Sequence, residues 1–280
     1  MTWKEFLGLG IAGALVTTVG ALLGHFLKEV VLARSFEKWK AGRSLAAVFR
    51  KYRDPIVLSG IELCHRIEEV CDDWPAEYLS KGLLEKTVTH PTRTAAVDKH
   101  YLRYRFVSSL YRLCACLAWL ELFRQDIVFL DSGRSMLNRR FEQCVANMRA
   151  DLADGQLNTA EDWERWTDAL IFREEQRAIG EIMIGDSKVG RSVIGYAEFE
   201  QILLKDSARQ KWVMAVARFM ADPQQKKDFR RIRMQRLIVH LVDLVEVLAP
   251  ERLSKRLAEG RRRYRPSVST TLPVPAGPVP

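Results

Sequence analysis

The chain has 280 residues and carries 44 Lys and Arg against 35 Asp and Glu, a net charge of +9. With 48% hydrophobic and 28% charged residues, the composition excludes a wholly disordered chain and predicts a domain with a packed core. The positive charge favours anionic partners, such as the phosphates of lipid or nucleic acid.

An uncharged apolar segment runs from Phe6 to Leu27. At about 1.5 Å per residue it covers a hydrocarbon core of about 30 Å, and it exceeds the apolar stretch of about 7 to 15 residues in a signal peptide. We therefore expect a single transmembrane anchor over residues 1–27. Lysine and arginine crowd on its C-terminal side, so the positive-inside rule predicts a cytoplasmic domain at the inner membrane of the cell. The residues concerned are Lys28, Arg34, Lys38, Lys40 and Arg43.

Small residues follow one face of this predicted anchor at alternating steps of three and four. Such a stripe lets a second helix approach closely, which would make the chain a homo-oligomer, but glycine is also common in lone transmembrane helices. Both interpretations stay open. The stripe consists of Gly10, Gly13, Thr17, Gly20 and Gly24.

A basic juxtamembrane helix is predicted over residues 28–54, because apolar residues recur there at helical spacing on an otherwise basic segment. Its basic face pairs with anionic headgroups or is solvated as a stalk, and the pattern does not distinguish the two. Asp54 and Pro55 are typical of a helix start, so a new helix is expected from there to Cys71.

The helical domain is expected over residues 55–250, with almost no strand pattern, which makes the fold all-α and bundle-like. Beyond Pro250 a basic run and then a Pro-rich end predict a disordered tail over residues 251–280. We predict a short helix near residues 78–86, core helices over 98–130, 135–152, 160–172 and 174–184, a glycine loop at 185–195, and helices over 197–220 and from Asp222-Pro223 to Leu248.

Motifs for catalysis or cofactor binding are absent from the sequence: it has no phosphate-binding glycine loop, GxSxG, HExxH or paired CxxC. Glu62 and His65 form an ExxH, but a di-iron site needs a second such pair and further carboxylates. The five cysteines are irregularly spaced, so we expect reduced core thiols. The sequence thus favours a non-enzymatic protein without a metal or cofactor.

Charged residues interrupt otherwise apolar helices and form a candidate polar cluster. A buried charge must be paired, so internal salt bridges explain them, while a bound anionic ligand in a sensor or an enzyme is the alternative. The cluster comprises Arg112, Glu121, Arg124, Arg173, Arg177 and Glu181.

A dense run of basic residues opens the last long helix and forms a candidate basic patch. Anionic lipid is the favoured partner for a tethered protein, a solvated helix face is the alternative, and nucleic acid is disfavoured because no recognition fold accompanies the run. The patch comprises Lys226, Lys227, Arg230, Arg231, Arg233 and Arg236.

Four segments, about a fifth of the chain, carry a family resemblance. They are FRKYRDP (49–55), SLYRLCACLAWLELFRQDIVFLD (109–131), REEQRAIGEIMI (173–184) and IGYAEFE (194–200). The chain resembles a family of uncharacterised, membrane-anchored helical proteins of bacteria and plants, from which it departs at Glu174, where that family has glycine. The resemblance implies one helical domain with a membrane anchor, and no activity.

Overall fold

The computed structural model describes residues 33–84, 96–127, 136–153, 170–187, 190–223 and 228–269. These residues are mostly helical, which confirms the all-α class. The predicted anchor with its glycine stripe, residues 160–169 of the helix expected over 160–172, and the Pro-rich end after residue 269 lie outside the described residues, and residues 170–172 are not helical.

Eight α-helices and one β-hairpin are present in the described part of the chain. The helices are α1 (Ala33–Asp72), α2 (Ala96–Ile127), α3 (Met136–Ala153), α4 (Arg173–Ile182), α5 (Tyr196–Lys205), α6 (Ser207–Met220), α7 (Phe229–Leu248) and α8 (Lys255–Ser269). The strands are β1 (Ile184–Ser187) and β2 (Gly190–Val193), and short 3-10 turns occupy Lys81–Leu83 and Pro250–Arg252.

Helix α1 is continuous through Pro55, so the prediction of a helix boundary at Asp54-Pro55 was wrong. Proline lacks an amide hydrogen and normally disrupts a helix. Tertiary contacts stabilise α1 on both sides of Pro55: Tyr52 and Ile56 are buried, and Arg53 Nε donates to the Leu248 carbonyl at 2.7 Å. From Ala33 onward the predicted juxtamembrane helix and the first helix of the domain are therefore one element.

Helix α2 is the central core helix, as its long apolar run predicted. Lys99–Ile127 has the length and the mean hydropathy, 1.4, of a possible membrane span, but 83% of its most apolar window is buried inside the domain. In the described part of the chain this is the one helix with such properties. Its burial against α1 and α4 accounts for the apolar composition.

The four main helices have defined relative directions. Arg53 meets the end of α7, whereas Arg231, near the start of α7, donates to the Cys71 carbonyl at 3.2 Å, so α1 and α7 are antiparallel. Asp126, at the end of α2, contacts Tyr52, so α2 is also antiparallel to α1 over its contact. Helix α3 packs on α7. Its start meets Phe49 of α1 and its end meets Arg233 near the start of α7, so α3 runs in the same direction as α1.

A β-hairpin replaces the glycine loop expected at residues 185–195. β1 and β2 pair antiparallel with Ile184 opposite Val193, and Gly190 has a φ of +110°, a conformation that glycine adopts most easily. Each strand has four residues, which is too short for alternation to be recognised in the sequence.

Two helix starts also differ from the expected ones. The helix predicted over residues 197–220 is divided at Asp206, whose side chain caps α6 by accepting from the Arg209 amide at 3.0 Å. The last long helix begins after Asp228, which caps it by accepting from the Arg230 amide at 3.1 Å. In both places an aspartate side chain satisfies an amide at the helix start.

The start of the predicted disordered tail is helix α8, so that prediction was wrong for residues 255–269. Leu257, Gly260 and Tyr264 are buried and lie on one helical face. Gly260 is so close to the Glu68 carboxylate that a Cβ atom would overlap it. The apolar face of α8 therefore packs on α7 and on the neighbouring surface of α1.

Acidic residues of α1 and α7 pair with three arginines of α8. Arg261 bridges Asp243 at 3.1 Å and Glu246 at 2.6 Å. Arg263 pairs with Asp72 at 2.8 Å, and Arg256 pairs with Glu68 at 3.2 Å. The hydrogen bond from Arg261 lowers the pKa of Glu246, as expected for a paired carboxylate.

Replacement of Leu257 by alanine tests whether α8 is docked. Leu257 is 1% exposed, so Leu257→Ala is expected to lower the free energy of unfolding by about 2 to 3 kcal/mol, measured by urea denaturation. The control is Lys255→Ala on the exposed face of the same helix, with a change under about 0.5 kcal/mol. Equal effects of the two changes would mean that α8 is detached.

Candidate functional sites

Glu121 is a carboxylate buried among apolar residues of α2, with its side chain 1% exposed. Arg124 donates to it through Nε at 2.8 Å and through Nη2 at 2.5 Å. Gln125 Nε2 donates to Oε1 at 2.9 Å, and Arg149 Nη2 of α3 lies 3.9 Å from Oε2. We call Glu121, Arg124, Gln125 and Arg149 the Glu121 centre.

The Glu121 carboxyl is held in its charged form. Burial, the largest influence, would raise its pKa, but the hydrogen bonds from Arg124 and Gln125 outweigh burial and lower the pKa below its ordinary value of 4.5. The pKa of the Arg149 guanidinium is also lowered, but here the charged form is disfavoured, by burial first and then by the positive charges of Arg177, Arg124 and Arg173. Positive charge is therefore in excess around one carboxylate.

Gly180 allows α4 to pack directly on the Glu121 centre. A Cβ atom at this position would lie 2.7 Å from Glu121 Cβ and 3.2 Å from the Leu117 carbonyl oxygen. Gln176, one turn earlier, donates through Nε2 to the Arg149 carbonyl at 3.1 Å and to the Ile171 carbonyl at 2.8 Å. These contacts fix α4 against both α2 and α3.

The residues of the predicted polar cluster lie at different places in the structure. Glu121 and Arg124 form the centre, and Arg173 and Arg177 of α4 act on it electrostatically from exposed positions. Arg112 lies elsewhere, where it donates to the Glu62 carbonyl at 3.4 Å. Sequence reasoning missed Gln125 and Arg149, and only the packing of α3 on the core could have identified Arg149.

Glu181 lines a polar cavity of about 240 Å³ beneath the hairpin. Arg191 of β2 donates to Gln125 Oε1, so the cavity wall connects to the Glu121 centre through one amide side chain. The other lining residues are Ile184, Gly185 and Asp186.

A second cavity, of about 380 Å³, lies between α1 and α2. Its wall is mainly apolar, and Leu58 in it is 49% exposed, while Asp54, Glu62 and Arg112 stand at its polar edge. The remaining lining residues are Pro55, Ser59, Tyr111, Ala115 and Trp119.

The predicted basic patch is not an exposed surface where the structure describes it. Arg230 is buried, pairs with Asp228 at 2.6 Å, and donates to the Ala221 carbonyl at 2.6 Å. Arg233 is also buried and donates to the Asp151 carbonyl at 2.6 Å. These arginines therefore join α7 to its neighbours.

The other members of that patch give no continuous surface either. Arg231 is exposed and donates to the Cys71 carbonyl, and Arg236 is half-buried. Lys226 and Lys227 lie outside the described residues. A further buried pair that sequence reasoning missed joins α3 to α7, with Asp151 Oδ2 2.5 Å from His240 Nδ1.

Basic and apolar side chains are exposed together at the start of α3. Met136 is 72% and Leu137 is 47% exposed, and Arg139 and Arg140 beside them are also exposed. We call these four residues the entry-end surface, because they lie at the end of the bundle where α1 enters.

Aromatic contacts establish this position. The rings of Phe141 in α3 and Phe49 in α1 are 5.6 Å apart, and both rings contact Phe123 of α2. Helix α3 begins five residues before Phe141 and so extends about 7.5 Å further toward the N-terminal part of α1. Nearby, Tyr52 donates to Asp126 at 2.6 Å and fixes the end of α2 against α1.

All five cysteines are unpaired and buried, which confirms the expectation of core thiols. Burial raises the pKa of Cys144 to about 11 and that of Cys71 and of Cys116 to about 12, so these thiols are unreactive near neutral pH. Among the described residues no three His, Cys, Asp or Glu side chains converge as metal ligands.

Comparisons with known proteins give no relative. No protein-family model matches the chain, and no curated protein or solved structure matches it significantly. The motif resemblance therefore stays a prediction. Two of its segments do meet in space, because REEQRAIGE forms most of α4 and packs at Gly180 on the Glu121 segment of α2.

Replacement of Gly180 by alanine should be strongly destabilising. Alanine normally favours a helix over glycine by about 1 kcal/mol, but here its methyl group would overlap Glu121 and the backbone of Leu117. We expect a loss of about 2 to 3 kcal/mol in unfolding free energy, measured by chemical denaturation. The control Gly195→Ala, with open space around its Cβ position, should change it by less than about 1 kcal/mol.

Glu121→Gln should show a stability loss that depends on pH. Since folding lowers the pKa of Glu121 below 4.5, the charged carboxylate stabilises the fold above that pH, and this stabilisation disappears as the pH falls through the folded pKa. We expect a loss of about 3 kcal/mol at pH 7 that shrinks below pH 4.5. Denaturation curves across pH measure it, with exposed Glu259→Gln as the control; a constant difference would contradict the charged state.

Proposed function

We propose that this protein is a membrane-anchored binding module whose helical domain contacts anionic lipid through the entry-end surface. The observation that supports this most directly is the exposure of Met136 and Leu137 beside Arg139 and Arg140. Apolar side chains that enter the acyl boundary next to arginines that pair with headgroups are typical of interfacial helices. Each arginine near an anionic surface contributes about 1 kcal/mol.

The continuity of α1 supports the same orientation. Its first part, residues 33–48, is about 24 Å long and begins in the sequence shortly after the predicted anchor of residues 1–27. The sequence of this part contains Arg34, Lys38, Lys40 and Arg43, which favours contact with headgroups. With this part of α1 along the bilayer, the entry-end surface meets the same headgroup layer.

The lipid surface in this proposal is not the predicted basic patch. Arg230 and Arg233 are buried and hydrogen-bonded to the backbone of neighbouring segments. Breaking such hydrogen bonds would lose more free energy than a contact with a lipid headgroup would contribute. The cytoplasmic orientation and self-association through the glycine stripe are part of the proposal on sequence grounds alone.

A fluorescent probe at residue 137 tests the proposal. Because the native cysteines are buried, Leu137→Cys can be labelled selectively with an environment-sensitive dye in the full chain. In nanodiscs with phosphatidylglycerol we expect a blue shift that is absent in phosphatidylcholine and lost at high salt. Arg139→Gln with Arg140→Gln should weaken the contact by about 2 kcal/mol, roughly thirtyfold.

A label at Leu204 is the matched control, because this side chain is 45% exposed on α5, away from the entry-end surface. It should report no shift in either lipid. Equal shifts at both positions, or none at residue 137, would disprove contact through the entry-end surface.

A chain without residues 1–27 tests the anchor separately, because it should leave the membrane fraction and stay helical by circular dichroism.

A further inference from the structure

The guanidinium of Arg149 lacks a hydrogen-bonded counter-ion within the described residues. Its side chain is 18% exposed, its buried Nε has no hydrogen-bond partner, and its Nη2 is 3.9 Å from Glu121 Oε2. Both Glu121 oxygens already accept from Arg124 and Gln125. A buried charge in this situation favours an additional anion.

Arginines of three helices contribute positive charge around the Glu121 centre. Arg124 belongs to α2, Arg149 to α3, and Arg177 to α4. In α4 the contact between Gly180 and Glu121 places the adjacent helical turn against the Glu121 centre. Gln176 donates to the Arg149 carbonyl, so Arg177 follows directly on a residue in contact with α3. The charges of Arg177, Arg124 and Arg173 are close enough to lower the pKa of Arg149.

Two carboxylates oppose this charge, and neither neutralises it. Glu121 is hydrogen-bonded to Arg124, and Glu181, an exposed residue, acts on Arg124 electrostatically. Glu175, in the first turn of α4, faces away, because it accepts from the Phe172 amide at 2.9 Å and pairs with Arg218 at 3.3 Å. The arginines therefore retain a net positive charge.

We propose that Arg124, Arg149 and Arg177 form a binding site for a phosphate group. Guanidinium groups present forked N–H donors that match the oxygens of phosphate, and a phosphate group carries more negative charge than a carboxylate to set against several arginines. The phosphate belongs to a soluble compound or to a phosphomonoester lipid headgroup. The site is separate from the entry-end surface and does not depend on the membrane proposal.

Thermal unfolding of the full chain in phosphatidylcholine nanodiscs tests the site with inorganic phosphate and pyrophosphate as probes. Phosphate or pyrophosphate should raise the Tm more than sodium chloride of equal ionic strength, because a ligand stabilises the state that binds it. Arg149→Met should weaken binding by about ten- to hundredfold in calorimetry. Without anion, this variant should be at least as stable as wild type, because an uncompensated guanidinium is removed.

Exposed Arg262→Met is the control and should keep the full phosphate response. Nanodiscs with a phosphatidylinositol monophosphate distinguish the two sources: stabilisation there alone, dependent on Arg149, identifies a lipid headgroup, while a response to the free anions identifies a soluble ligand. The proposal is overturned if no arm of the experiment shows a response that depends on Arg149. An anion-free Arg149→Met variant less stable than wild type, with an unchanged phosphate response, overturns it as well and leaves Arg149 a structural partner of Glu121.

Discussion

Helix α1 runs unbroken through Pro55, and the position of its N-terminal part relative to the rest of the domain depends on this continuity. A proline inside a helix costs about 3 kcal/mol or more, and the contacts around it offset that cost. Tyr52 and Ile56 are each 1% exposed, and Arg53 donates to the end of α7. Since α1 is one element, its basic N-terminal part and the exposed start of α3 lie at the same end of the bundle.

The distribution of charge explains where the chain can meet another molecule. Although the net charge is +9, many basic residues are used inside the domain: Arg261 bridges two carboxylates of α7, and Arg230 ties α7 to the end of α6. Among the described residues, positive charge that is not balanced in this way includes the exposed arginines of the entry-end surface and the partly buried Arg149 of the Glu121 centre. The proposed lipid contact and the proposed phosphate site both involve these unbalanced charges.

Sequence reasoning was accurate where a long apolar face determines an element. Helix α2 was expected over residues 98–130 and is found at Ala96–Ile127, and α3 was expected over 135–152 and is found at Met136–Ala153. It failed where a local rule met a tertiary contact. Asp54-Pro55 has the local chemistry of a helix start, yet packing on α2 and α7 keeps the helix continuous. Helix α8 is docked because its apolar face, with Leu257 and Tyr264, packs on α7 and on α1, which is distant in the chain.

The candidate sites show the same division between local pattern and spatial contact. Glu121 and Arg124 were predictable because a charged pair at helical spacing inside an apolar run must be buried and paired. Arg149 was not, because nothing near it in sequence shows that α3 brings it to within 3.9 Å of Glu121. The burial of Arg230 and Arg233, two members of the predicted basic patch, was unpredictable for the same reason, since it depends on partners outside their own helix.

The sequence by itself determined the helical class, the extent of the core helices, the uncharged N-terminal segment and the positive net charge. These follow from hydrophobic periodicity and composition, which are properties of neighbouring residues. Only the tertiary structure decided which arginines are buried, which carboxylates they meet and which positive charges remain exposed. Those outcomes depend on contacts between residues distant in the chain, such as Arg53 with Leu248 and Arg149 with Glu121, and no local pattern encodes them.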